Sequence, residues 1–253
     1  MSDYNRNAGP FGTAATRPGA AALDQGLRAY MLGVYNNMAI GLAITGLVAY
    51  GANLLAVAGD AGGRLLLTPL GETLYRGPLH WVVMLAPLGF VLFFSFRINT
   101  MSAASARAMF FAFSAVMGLS LSVILLVYTG NSIARAFFVT AATFGGLSLL
   151  GYTTKRDLSA MGAFLGMALI GLIIAGVVNL FMQSGPFQMA LSAMTVLIFA
   201  GLTAYDTQSI KEMYFAGDSH DVATRKSING ALQLYLDFIN IFTSLLQLMG
   251  DRR

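Results

Sequence analysis

The sequence predicts an all-α integral membrane protein of about seven transmembrane helices. Of its 253 residues 57% are hydrophobic and only 10% charged, whereas soluble domains carry about 25% charged residues. The mean hydropathy is +0.69. The apolar residues also gather into seven stretches near the roughly 20 residues that a spanning helix requires, and these consume the chain. One membrane domain follows, residues 29–250, preceded by a polar tail, residues 1–28.

The tail mixes Gly, Pro and Ala with polar residues and has no apolar core of a cleavable signal peptide, so it is expected to be flexible. The first apolar segment, Tyr30–Ala58, is long enough to tilt or to give its ends to loops. The second, Leu79–Phe96, contains Pro87, which removes a helical hydrogen bond and is expected to kink it. Gly130-Asn131 marks a tight turn between the third and fourth segments, Ala108–Tyr128 and Ala134–Tyr152. Gly185-Pro186 does the same between the fifth and sixth, Met161–Met182 and Phe187–Ile210. The seventh is Ile228–Met249. Tyr75, Trp81, Tyr128, Tyr152 and Tyr214 lie near segment ends, where amphipathic rings prefer the interface. Gly162-x-x-x-Gly166 and Gly171-x-x-x-Ala175 in the fifth segment, with Gly145 and Gly146 in the fourth, predict close helix packing.

The formal charge of +4 is spread through the gaps between segments and forms no basic run, which excludes a nucleic-acid partner. With the N-terminus inside, Arg6, Arg17, Arg28, Arg97, Arg107, Lys155, Arg156, Lys211, Arg225 and Lys226 face the cytoplasm. Arg64, Arg76, Arg135, Arg252 and Arg253 then face out, ten against five, so a cytoplasmic N-terminus is preferred. A re-entrant seventh segment would move the last two arginines inward, so charge alone leaves six or seven spans open. Cysteine is absent, excluding disulfides, thiolate metal sites and cysteine nucleophiles.

Ionisable side chains inside a bilayer cost about 2.5–3.5 kcal/mol each, which makes each a functional candidate. Two acids fall inside the segments, Asp206 and Asp237, and Arg97 closes the second segment. Asp206 lies about 7–8 Å from Lys211 along its helix, and Asp237 about 13–14 Å from Ile228, so their depths agree. Asn229, Gln233, Asp237, Asn240, Ser244 and Gln247 recur at helical spacing within a wedge of roughly 80°. Ser192, Thr195, Thr203, Asp206 and Ser209 give the sixth segment a similar stripe. Two such stripes suggest a buried polar seam, with Thr203, Gln233, Asn240 and Ser244 lining a polar pathway. The stripes could equally serve to hydrogen-bond helices together, although neutral side chains would do that more cheaply than aspartates. Carboxyl groups brought close share a proton and titrate as one unit; ionised together, Asp206 and Asp237 form an oxygen site for a hard cation such as Ca²⁺. An Arg97 guanidinium within reach would pair with one of them instead. His80 and His220 lie at opposite sides of the membrane, Lys155-Arg156-Asp157 reads as a loop, and Asp218 and Asp221 as solvated surface.

Ala204-Tyr205-Asp206-Thr207-Gln208-Ser209-Ile210-Lys211 and Leu234-Tyr235-Leu236-Asp237-Phe238-Ile239-Asn240 resemble the signature of the Bax inhibitor-1 family of membrane proteins, in its prokaryotic branch. Thr154-Lys155-Arg156-Asp157-Leu158-Ser159 fits the same family, and the resemblance extends from about Arg28 onward. It implies a seven-helix bundle with the last helix central, enclosed by the other six, and residence in the plasma (inner) membrane of a prokaryote. It also implies a pH-sensitive calcium leak in which Asp206 and Asp237 are the sensor and Arg97, by position, a latch. The Arg97-Ile98-Asn99 surroundings are less basic than the family's pattern. Relatives described as partners of membrane-bound proteases or cell-death regulators suggest the alternative, an interaction protein without transport. An enzyme is not expected, nor any cofactor beyond bound Ca²⁺. Tyr205-Asp206 has the form of an intramembrane aspartyl protease motif, but the partner motif Gly-x-Gly-Asp is missing.

Overall fold

The computed structural model describes residues 20–61 and 64–253. All seven apolar segments are helices long enough to cross a membrane. Helix α1 spans Ala20–Ala56 and leads into a two-stranded antiparallel hairpin, β1 Val57–Ala61 and β2 Arg64–Leu67. A short α2, Pro69–Tyr75, precedes α3, Leu79–Arg97, and a 3₁₀ turn, Ile98–Thr100, leads to α4, Ala103–Leu121, and the single turn α5, Ile124–Val127. Then follow α6 Gly130–Thr153, α7 Ser159–Met182, α8 Gly185–Glu212 and α9 His220–Met249. The expected tail boundary at residue 28 falls inside α1. Residues 1–19 of that tail lie outside the described residues.

Helix starts follow side-chain chemistry that the hydropathy pattern does not register. Ser102, Thr129, Ser184 and Ser219 each accept a hydrogen bond from the backbone N–H three residues on, capping α4, α6, α8 and α9. Gly130 and Gly185 are therefore the first helical residues after a cap rather than turn centres. Pro87 sits inside α3 without interrupting it. The third segment is instead broken at Ser122, whose hydroxyl donates to Leu119 O (2.6 Å) and accepts from Tyr75 Oη (2.9 Å). Back-bonding of this kind bends helices.

The last helix is the core. Half of its apolar window is buried, against 6% for α7 and 11% for α3. Four helices, α1, α4, α6 and α8, make its main contacts; α3 rests on α4 and α7 on α8, as outer helices. Tyr235, fully buried, stands edge-on to Phe110 and Phe113, both at 5.7 Å. Its hydroxyl meets Thr45 Oγ1 at 2.6 Å, and Thr45 in turn donates to Ser114 O (2.9 Å) or Gly41 O (3.0 Å). On the outer surface Phe96, Phe181 and Leu197 are more than 70% exposed, a surface that only hydrocarbon covers without penalty.

At 30 residues α9 is about 45 Å long, more than the bilayer core requires. Its far end returns to the turn before α6: Thr129 N donates to Asp251 O (3.1 Å), Arg253 N to Val127 O (2.9 Å) and Asp251 N to Ser132 Oγ (2.9 Å). The seventh segment thus runs the full length of the bundle. One end of the bundle carries the hairpin, this clasp and the α7–α8 turn. The other, the basic end, carries the 97–103, 153–159 and 212–220 connections.

The small-residue expectation is corrected in part. Gly145 and Gly146 on α6, and Gly166 and Gly171 on the outer helix α7, have open space where a side chain would stand. Of those glycines Gly162 alone packs closely, under the ring of Tyr205. The tight crossing is at Gly151, where a Cβ would come within 2.1 Å of Ala204 O.

Candidate functional site: a buried carboxyl pair

Helices α8 and α9 run antiparallel, with Ile210 lying over Gly230 and Ser192 bonded to Gln247 (2.6 Å). That register brings the Asp206 and Asp237 side chains within hydrogen-bonding reach of each other. Asp237 is 3% exposed, and its Oδ2 is buried with no N–H or hydroxyl donor among the described residues. Asp206 is half-buried. Two carboxyl groups can bond to each other only while one of them carries a proton.

Hydroxyls that helical periodicity does not single out lie one turn away. Tyr35 Oη meets Ser148 Oγ at 2.6 Å, Ser148 meets Thr207 Oγ1 at 3.0 Å, and Thr207 donates to Thr203 O at 2.7 Å. Because the Thr207 proton is committed to Thr203, Ser148 donates to Thr207 and Tyr35 to Ser148. This line joins α1, α6 and α8 beneath a cleft of about 560 Å³ that runs from Arg28 and Tyr152 to Tyr35 and Ser148. Patterns on single helices do not reveal a line drawn across three of them.

The candidate lining residues behave differently from one another. Thr203 is buried and donates to Phe199 O (2.7 Å). Asn240 donates to Leu236 O (2.8 Å) on its own helix, Gln233 is half-buried, and Ser244 is buried. Gln247 ties helices together, meeting Ser192 and Gln188, which meets Asn179 at 2.7 Å. Neither aspartate is among the residues lining the four cavities at α1–α4–α6–α9, α1–α6, α8–α9 and α1–α4–α9. Among the described residues no third His, Cys, Asp or Glu joins the two acids.

Arg97 is exposed at the end of the outer helix α3, and no ion pair joins it to Asp206 or Asp237. Gln208, inside the resembling motif, serves the fold. Its amide donates to Arg156 O (2.8 Å) and accepts from Leu158 N (2.9 Å), fastening the α6–α7 loop. In that loop the Ser159 hydroxyl and backbone N–H hold the Asp157 carboxyl below its usual value. Asp218 is not solvated surface, as expected, but bonds Lys226 Nζ at 2.6 Å with its side chain 14% exposed. The lysine also donates to Met213 O, which draws the α8–α9 loop over it.

A seven-helix bundle closed around its last helix, with an acidic pair between the last two helices, defines a polytopic integral membrane protein. The chain belongs to the Bax inhibitor-1 family: the family profile described as Inhibitor of apoptosis-promoting Bax1 matches residues 27–253. It is 44% identical to Inner membrane protein YbhL of Escherichia coli K12, covering 90% of this chain and 94% of that one. A Rickettsia prowazekii protein is 40% identical over the whole of both chains. A membrane protein of Streptococcus pyogenes is 34% identical over 90% of this chain and 94% of its own.

Proposed function

We propose that this protein is a passive, pH-sensitive cation leak pathway, with calcium the favoured ion and Asp206 and Asp237 as sensor and ion ligands. The observation that carries the reading is the contact between the two carboxyl groups at the core of the bundle. While the pair holds a proton it bonds α8 to α9 and closes the seam. When that proton leaves, two like charges about 4 Å apart repel by about 4 kcal/mol at an effective dielectric of 20. The repulsion is relieved by helix separation or by a cation between the carboxylates. Calcium takes six to eight oxygens, so two carboxylates with neutral oxygens suit passing occupancy better than storage. Catalysis and organic cofactors have no part in this reading.

The charge count supports a cytoplasmic basic end and N-terminus in the inner membrane of a prokaryote. Arg97, exposed as it stands, would act as a latch only after α3 shifts toward the pair. Calcium flux into liposomes holding the pure protein tests the proposal. Flux should follow pH in the native chain. Asp206→Asn and Asp237→Asn should each abolish the pH response, with the double variant little worse than either, because the pair titrates as a unit. Independent, additive shifts would return both acids to helix packing. Flux no greater than in protein-free liposomes would leave the interaction protein, a modulator of a membrane-bound protease, as the reading.

A further inference from the structure

A second polar site lies at the basic end, apart from the aspartate pair. A cavity of about 310 Å³ opens between the starts of α1, α4 and α9 and the α8–α9 loop. Tyr30 and Ser227, 7% and 6% exposed, are among the residues that line it, and their hydroxyls are buried behind its wall. Neither has a hydrogen-bond partner among the described residues. Buried donors left unmatched are rare and costly in folded chains, and here two belong to residues around one cavity. Gly33 makes room for Ser227, whose Oγ would meet a Cβ at 3.1 Å. Tyr214 packs against Tyr30 with ring centroids 5.6 Å apart, forming an aromatic wall. Arg107 and His220, both exposed, stand on the rim. Of the nearby acids, Asp218 is paired with Lys226 but its charge still reaches Tyr30, and Asp221 is exposed.

We infer that this cavity binds a phosphate group. Arginine presents a fork of donors suited to oxyanions, and the unmatched hydroxyls of Tyr30 and Ser227 add donors when their side chains turn toward the ligand. Four donors on three separate elements suit a tetrahedral group with several oxygens better than a planar carboxylate with two. The position at the end of the spans leaves two sources with the same chemistry, a soluble phosphate compound or a lipid headgroup. The inference is independent of cation flux, and binding is measured without it.

The full chain in maltoside micelles, which contain no phosphate, is titrated calorimetrically with inorganic phosphate and, separately, with dihexanoyl phosphatidate. Saturable binding of inorganic phosphate supports a soluble ligand; saturable binding of phosphatidate alone supports a headgroup. Arg107→Ala should weaken whichever binding is seen about tenfold or more, as loss of a charge-assisted hydrogen bond does. Tyr30→Phe and Ser227→Ala, which keep the packing, should each weaken it several-fold, while Arg76→Ala at the opposite end should change nothing. Arg107 is exposed, so its variant should keep the native melting temperature. Absence of saturable binding in both titrations, or binding indifferent to Arg107→Ala in a normally melting protein, overturns the inference.

Discussion

Asp237 stands where a carboxyl is most expensive, on the central helix with 3% of its surface exposed, and that cost is what makes it conspicuous in an apolar sequence. Gly151 is the opposite case, a residue whose importance lies in what it lacks. Its backbone touches Ala204 O, so Gly151→Ala should destabilise the bundle by about 1–3 kcal/mol through overpacking. Gly145→Ala, with open space around it, should be neutral or slightly stabilising because alanine favours helix. Thermal unfolding of the two variants in detergent makes the comparison, and equal effects would contradict the packing described. The acids are legible in the sequence because burial of charge is rare, whatever it touches. The glycines are not, because a small-xxx-small pattern marks a face without saying whether protein or lipid meets it. Arg97 is legible as a position but not as a contact: hydropathy places the helix end, while the reach of its side chain depends on which helix α3 packs against.

Between α8 and α9 the packing is tight enough for Ile210 to sit on Gly230, and in the proposed function a shared proton adds to that closeness. On the proposed reading, raising pH removes that proton and turns attraction into repulsion, so the two helices should draw apart as pH rises and close as it falls. The absence of cysteine makes this easy to follow. Cysteines replacing Met189 on α8, exposed, and Leu248 on α9, half-buried, would carry spin labels near the same end of the two helices, away from the loop that joins them. Distance distributions between the labels should broaden toward longer values at high pH and lose that change in Asp206→Asn. A pH-independent distance would separate the pair from any helix motion. At this scale hydropathy gives the number of spans and their approximate lengths. The Ser122 break, the hairpin and the hydroxyl caps escape it, since each depends on local polar chemistry that a hydropathy window averages away.

For the whole molecule, the two ends of the bundle differ in basic charge, and the orientation proposed from it can be checked directly. A cysteine at Ser219, in the α8–α9 loop, should resist an impermeant reagent applied outside intact cells, and one at Ser184, before α8, should react. The reverse pattern would invert the bundle. Centrality of the last helix is available to the sequence only through resemblance, because a polar stripe announces a buried face but not how many neighbours share it. That placement also sets an order of assembly. Chains emerge N-terminus first, so the six candidate spans that precede α9 enter the bilayer before the element they pack around exists. Four of them must wait with their inner faces turned to lipid or to one another, and α9 enters like a bolt that draws them together. Its far end is then secured when Asp251 meets Ser132. A stop codon ahead of His220 therefore removes the core of this protein and leaves its shell.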